Sequence, residues 1–157
     1  MNTLSILFAG LSLVATAVIY GTDVFSALVL RPAMGAVDDA TLTQAAGRVH
    51  EYGDRRLPLP GVIGILGAAL SALFAILARD PAAATLGGAA FVALLVWLSL
   101  YVRVAAPINR QLTAAARTHV TPANARALQR RWDGVINVRA ALRGIALVLL
   151  LIVIATL

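Results

Sequence analysis

The fold is decided by the stretch from Gln129 to Leu157, which reads QRRWDGVINVRAALRGIALVLLLIVIATL. From Val135 onward it is apolar over 23 residues, which is long enough for a helix to cross the roughly 30 Å hydrocarbon core of a bilayer. The same run contains Arg139 and Arg143, and a charged side chain near the centre of a membrane helix costs about 2.5–3.5 kcal/mol. We therefore expect other helices to supply partners for these two arginines.

The composition is that of a membrane protein. The chain has 157 residues, of which 61% are hydrophobic and 13% are charged, whereas a soluble domain has roughly 45–50% apolar and 25% charged residues. All 13 basic residues are arginines. They lie at the ends of apolar runs, which is typical of topology signals and not of a nucleic-acid-binding face. The absence of cysteine excludes disulfides and thiolate metal sites.

Four apolar runs predict an all-α fold, an integral membrane four-helix antiparallel bundle formed by one domain over residues 1–157. Pro32 and Pro107 are expected to end the first and third helices, because proline breaks the helical hydrogen-bond ladder. A short amphipathic helix at the cytoplasmic surface, with Asp38 or Asp39 as its N-cap, is expected before helix two. The predicted helices span residues 4–30, 61–78 (with the amphipathic lead-in at 41–57), 83–106 and 123–157.

The arginine distribution predicts the orientation. The connection at 31–58 contains four arginines, the region from Arg103 to Arg131 contains six, and the turn at Arg79 contains one. Because arginine-rich loops stay in the cytoplasm, both termini are predicted to lie outside. We expect a multi-pass protein of the cell inner membrane whose main partner is the lipid bilayer.

Two helices carry faces suited to helix–helix contact. The polar residues of helix one follow one stripe, and lipid cannot satisfy such groups. Helix two carries a seam of small residues that allows another backbone to approach, within the bundle or across a homodimer. The stripe consists of Ser5, Ser12, Thr16, Tyr20 and Asp23, and the seam of Gly61, Gly64, Gly67, Ser71 and Ala75.

The ionisable groups within the membrane all fall in the predicted cytoplasmic half. Asp23 lies near the inner end of helix one, Tyr101 and Arg103 near that of helix three, and Arg139 and Arg143 near that of helix four. Trp132 shares a helix face with both arginines, since the spacings are seven and four. The pattern predicts a polar pocket among the helices. The pair of Asp23 with either arginine is catalytic or purely structural, and the sequence leaves both open.

Two further groups of residues each have two interpretations, one as a ligand site and one as ordinary structure. His50 and Asp54 are four apart, so they share a face that could bind a metal or could belong to a solvated surface with Glu51. We predict no metal and no cofactor, although a haem held by one histidine stays open. Trp97, Tyr101 and Trp132 line a pocket for a flat ligand or form an interfacial belt.

The chain resembles the anthrone-oxygenase-like family of small four-helix membrane proteins. The likeness is carried by GTDVFSALVLRPAM from Gly21 to Met34, by the Ala106–Asn109 turn with Leu112, and by WDGVINVR from Trp132 to Arg139. It covers nearly the whole chain, and the order and spacing of these short motifs carry it. Fungal relatives oxidise anthrones to anthraquinones, apparently without metal or flavin, and the resemblance therefore implies an oxygenase. No catalytic role is transferred, and Asn109, Asn137 and Arg139 correspond only to family-like positions.

An anthrone has an acidic methylene, and loss of its proton gives an electron-rich enolate that can react with O₂. Such a site needs a base and groups that stabilise an oxyanion. The alternative is a non-enzymatic protein that binds a lipid or small hydrophobic ligand, or an accessory subunit of a membrane complex. We predict that the catalytic residues are Asp23, His50 and Arg139. The predicted substrate-binding residues are Tyr20, Trp97, Tyr101, Asn109, Trp132, Asn137 and Arg143.

Overall fold

The structure is a computed structural model that describes residues 1–157. The chain is 90% helical and has no strand, which confirms the all-α prediction. Four helices are long and apolar enough to cross a membrane, and their length and composition identify a multi-pass membrane protein. They are α1 (Asn2–Gly35), α3 (Pro58–Leu77), α4 (Pro81–Thr118) and α5 (Ala125–Thr156), and the amphipathic α2 (Asp39–Arg56) lies between α1 and α3.

The four long helices form a ring of neighbours. Helix α1 packs against α3 and α5, and α4 packs against the same two helices on the other side. The core between them is built mainly from alanine and leucine, whereas the outward faces carry exposed large apolar residues. Helix α2 packs along the last turns of α4, from Ala106 to Thr118. An apolar exterior around a small-residue core is what a membrane bundle requires.

The prolines do not end the first and third helices, contrary to the prediction. Helix α1 passes through Pro32 to Gly35, and α4 passes through Pro107 to Thr118. A five-residue π-helical turn ends two residues before each proline, at Ser26–Leu30 and at Tyr101–Ala105. A wider turn with i→i+5 hydrogen bonds re-pairs the backbone near a residue that has no N–H, so the helix continues.

The predicted stripe and seam meet each other. Ser12 donates a hydrogen bond of 2.6 Å to the carbonyl of Gly64, and Ser5 donates one of 2.9 Å to the carbonyl of Ser71. A side chain on Gly67 would come within 2.9 Å of Ser12. The glycines therefore let α1 and α3 approach closely. The hydroxyls of Ser5 and Ser12 are satisfied by the backbone of α3, whereas Thr16 Oγ1, beside Gly64, has no hydrogen-bond partner.

The connections between helices are short and capped. Asp38 is the N-cap of α2 and accepts hydrogen bonds of 2.9 Å from the amides of Ala40 and Thr41. Asp80 caps α4 through the amide of Ala83 at 2.9 Å. The third predicted connection is much shorter than expected, because α4 extends to Thr118 and α5 begins at Ala125.

Candidate functional site

An ion pair joins α1 to α5 in the middle of the ring. Arg139 Nη2 donates to Asp23 Oδ1 at 2.7 Å, and Trp97 Nε1 of α4 donates to Asp23 Oδ2 at 2.9 Å. All three side chains are buried. The partner that Arg139 was predicted to need is therefore Asp23, and both carboxylate oxygens are engaged.

The guanidinium of Arg139 is surrounded by aromatic rings. Its Cζ lies 5.4 Å from the ring centroid of Trp97, 5.7 Å from that of Tyr101 and 5.6 Å from that of Trp132. Aromatic faces attract a cation most strongly where water is absent. Its Nε is buried and has no hydrogen-bond partner, so the Nε–H of this caged guanidinium is free.

Arg143 lies one helical turn beyond Arg139 and has a different environment. It is fully buried, and its Cζ lies 3.6 Å from the ring centroid of Trp97. None of its three side-chain nitrogens has a hydrogen-bond partner. Its charge is therefore stabilised by the face of Trp97, without a direct ion pair.

Asp54, at the end of α2, is the centre of a second polar cluster. Tyr101 donates its O–H to Asp54 Oδ1 at 2.8 Å, and Asn109 donates Nδ2 to the same oxygen at 2.9 Å. Trp132 Nε1 in turn donates to Asn109 Oδ1 at 3.0 Å. Sequence reasoning did not place Asp54 among the site residues. Its spacing of four from His50 was the signal that could have found it.

His50 is buried beside this cluster, which corrects the solvated-surface interpretation. Its ring centroid lies 5.3 Å from that of Trp132, and its Nε2 has no hydrogen-bond partner. Burial lowers the pKa of His50 to about 4. The negative charge of Asp54 opposes this shift, and the positive charge of Arg139 adds to it. The imidazole is therefore neutral at neutral pH and presents an unpaired nitrogen.

The solvated face of α2 is formed by other residues. Glu51 pairs with Arg48 at 3.0 Å and with Arg55 at 3.2 Å, and Arg117 of α4 reaches the same carboxylate at 2.9 Å. These are the surface ion pairs expected from the spacing on α2. The chain contains no group of three or more His, Asp or Glu side chains that could hold a metal ion.

The two clusters share one cavity. Its volume is about 690 Å³, which lies within the range of roughly 300–1,000 Å³ typical of ligand sites. The walls are largely apolar, and polar side chains of both clusters are set among the apolar ones. Seven of the ten predicted site residues line it, together with Asp54: Asp23, His50, Trp97, Tyr101, Asn109, Trp132 and Arg139.

The other three predicted residues do not line this cavity. Tyr20 borders a separate groove of about 600 Å³ between α1 and α5, beside Gly144. Asn137 is exposed on the outside of α5, because two residues of helix place it about 200° around the axis from Arg139. Arg143 lies behind Trp97 and contacts the ring instead of the cavity.

Comparison with protein-family models, with curated proteins and with solved structures finds no match for the chain. The resemblance to the anthrone-oxygenase-like family stays a prediction carried by the residues that suggested it. The chemistry of the site follows from its own groups: a buried ion pair, a caged guanidinium, a neutral imidazole with a free nitrogen, and aromatic walls.

Proposed function

We propose that this protein is a cofactor-independent oxygenase of the anthrone-oxygenase-like kind, acting on a flat, acidic, lipophilic substrate. The observation that carries the proposal is the cavity of about 690 Å³, which is lined by His50, Asp23, Tyr101 and Arg139. A void lined by these residues is what a substrate-binding site requires, and a purely structural cluster would have no need of it.

The proposed reaction converts a methylene into a carbonyl. The base removes one proton and leaves an electron-rich enolate, which transfers its electrons to O₂ as a carbon–oxygen bond forms. The resulting peroxide takes up the proton and then loses water, as the remaining C–H and the O–O bond break and the C=O bond forms. One methylene and one O₂ therefore give one carbonyl and one water, without an external reductant.

Of the two predicted catalytic residues that can accept a proton, His50 is better suited as the base than Asp23. Both oxygens of Asp23 accept hydrogen bonds, whereas Nε2 of His50 is unpaired and its ring is neutral. A general base must have a free lone pair within reach of the substrate. In this scheme Asp23 holds Arg139, and the free Nε of Arg139 stabilises the developing oxyanion.

The aromatic walls suit a planar substrate. Trp97 and Tyr101 stack with their rings 3° from parallel and their centroids 5.7 Å apart. The ring centroid of Trp132 lies 5.6 Å from Cζ of Arg139. A flat aromatic body gains from offset stacking on such surfaces, in addition to the burial of its apolar area.

We also propose the membrane placement that the arginines predict. The bundle is antiparallel, both termini lie outside, and the cavity lies in the cytoplasmic half of the inner membrane. The ion pairs of Glu51 with three arginines, and that of Asp39 with Arg126 at 2.6 Å, support this arrangement, because they place arginines at α2. Arginine-rich segments are retained on the cytoplasmic side.

The test is oxygen uptake by the protein purified in detergent, with anthrone as the substrate. His50→Gln should lower kcat by about a hundredfold or more, since it removes the base. His119→Gln is the matched control, because His119 is the other histidine and is exposed in a helix-end turn. Arg139→Ala should also abolish turnover. Uptake no faster than the autoxidation of anthrone without protein would reject the enzyme.

A second candidate function is non-catalytic binding of a lipid or small hydrophobic ligand, alone or as an accessory subunit. It is favoured by the full engagement of Asp23, and by the three hydrogen bonds that tie Asp54 to Tyr101 and Asn109. Such closed pairs are typical of structural roles. Saturable binding of anthrone without oxygen uptake would select this function over the oxygenase.

A further inference from the structure

The mouth of the cavity is formed by exposed apolar residues. Val18 and Phe25 of α1 and Val62 of α3 line the cavity, and they are 48%, 55% and 53% exposed. All three belong to helices long and apolar enough to cross the membrane. An opening with an apolar rim in the spanning part of a bundle faces acyl chains, because contact of this apolar surface with water would be unfavourable.

One edge of the mouth is polar. Tyr52 and Arg56, at the end of α2, line the cavity and are exposed, and the guanidinium of Arg56 lies 5.3 Å from the ring centroid of Tyr52. Arginine and tyrosine are suited to the boundary between head groups and acyl chains. The opening therefore extends from the apolar layer to the polar interface.

Two residues that line the cavity have unpaired polar atoms. Nε2 of His50 and Nε of Arg139 lack hydrogen-bond partners, and each of these two residues is 6% exposed. Buried polar groups are normally paired, so unpaired ones on residues that line a cavity are suited to pair with a ligand or water held there. The cavity thus combines an exposed, mainly apolar mouth with buried polar side chains.

We propose that the cavity is filled sideways from the bilayer, through a portal between α1 and the junction of α2 with α3. The ligand enters as a membrane-dissolved amphiphile whose acidic or oxygen-bearing group reaches His50 and Arg139. The nature of the ligand rests on the proposed function of the same site. The portal is a property of the bundle and applies equally to a catalytic and a binding protein.

Gly21 is the position at which the portal can be closed. It lines the cavity and is exposed, and a side chain added there would meet no atom within 4 Å. Gly21→Phe should therefore fill the opening without disturbing the bundle. Gly10 offers the matched control, because it lies on the same helix, also has open space around it, and does not line the cavity.

The two tryptophans of the chain, Trp97 and Trp132, both line the cavity and report its occupancy. The experiment measures their fluorescence in phosphatidylcholine vesicles that contain a dibrominated stearic acid, whose bromines quench tryptophan on contact. We expect strong quenching of the parent protein and of Gly10→Phe, and loss of most of this quenching in Gly21→Phe. Circular dichroism of each variant verifies that the helices are intact.

Equal quenching in all three proteins would overturn the portal, and so would an equal loss in Gly10→Phe. Quenching by aqueous acrylamide that exceeds quenching by the brominated acid, and that Gly21→Phe leaves unchanged, would show that the cavity opens to water, which would also overturn it. Oxygen uptake with anthrone is measured on the same samples. If uptake is absent while the brominated acid discriminates Gly21→Phe from Gly10→Phe, the oxygenase fails and the portal stands.

Discussion

At the scale of single residues, the two arginines of α5 differ in how their charges are stabilised. Arg139 is held by a carboxylate at 2.7 Å, whereas Arg143 has only the face of Trp97 at 3.6 Å. Removing one member of a buried ion pair leaves the other charge uncompensated. Removing a buried charge that has no ion-pair partner leaves no uncompensated charge behind. The same substitution at the two positions should therefore have different effects.

We predict that Arg139→Met destabilises the protein by about 3–5 kcal/mol, because Asp23 is left buried and unpaired. Arg143→Met should change stability by no more than about 2 kcal/mol, the value of the lost cation–π contact. Unfolding of the two variants in mixed micelles by sodium dodecyl sulfate measures the difference. Equal losses would mean that Arg143 has a charged partner, such as a bound anion.

His50 gives a prediction about pH. Its pKa is about 4 in the folded protein and 6.5 when the chain is unfolded, so the unfolded chain binds more protons between these values. Stability from this group is complete above pH 6.5 and is lost as the pH falls toward 4. At pH 5 the loss should be about 2 kcal/mol. His50→Gln should remove this part of the pH dependence, and a slope unchanged from that of His119→Gln would contradict the assignment.

At the scale of helices, the sequence predicts which segments form them better than where they end. A proline after an apolar run normally ends a helix, and this rule made the predicted first and third helices too short. Both helices instead continue through π-helical turns that precede Pro32 and Pro107. Such turns depend on how the helix packs against its neighbours. No periodicity in the sequence marks them.

The continuation of α4 is also what completes the site. Tyr101 opens the π-helical turn and Asn109 lies beyond Pro107, yet both reach Asp54. The intramembrane pair of Asp23 and Arg139 could be predicted, because each charge demands a partner within the bilayer. The contribution of α2 could not, since an amphipathic helix has a buried face whose target is set by the tertiary fold.

The seam between α1 and α3 gives a prediction at this scale. Gly67→Ala should destabilise the bundle by about 1–3 kcal/mol, because the added methyl would lie 2.9 Å from Ser12 and 3.0 Å from the carbonyl of Phe8 and must push backbone apart. Gly88→Ala in α4 is the control, since its methyl would meet no atom within 4 Å. That variant should be neutral, or more stable by up to about 1 kcal/mol. Thermal unfolding in detergent compares them, and a harmless Gly67→Ala would show that the seam is loose.

At the scale of the whole molecule, the polar groups follow from the demands of the bilayer. Lipid offers no partner to a hydroxyl, a carboxylate or a guanidinium, so the stripe of α1 and the arginines of α5 turn toward other helices. That reasoning brings most of the predicted residues to one cavity. It fails for Asn137, which is a polar residue on the outer face of α5. The cavity itself is a gap between helices, and its volume depends on how far apart they pack.

The orientation of the whole bundle can be tested because the chain contains no cysteine. Single cysteines at Ala36 and Ala123 would mark two connections, and one at Ala82 would mark the first turn of α4 after the turn at Arg79; all three positions are exposed. If the arginine-rich ends lie in the cytoplasm, a membrane-impermeant maleimide added to intact spheroplasts should label Ala82→Cys alone. Lysed membranes should allow labelling at all three positions. Labelling of Ala36→Cys and Ala123→Cys in intact spheroplasts would invert the bundle and move the cavity to the outer half of the membrane. The ion pair of Asp23 with Arg139 would survive such a result, since it depends on the contact of α1 with α5 and not on which side they face.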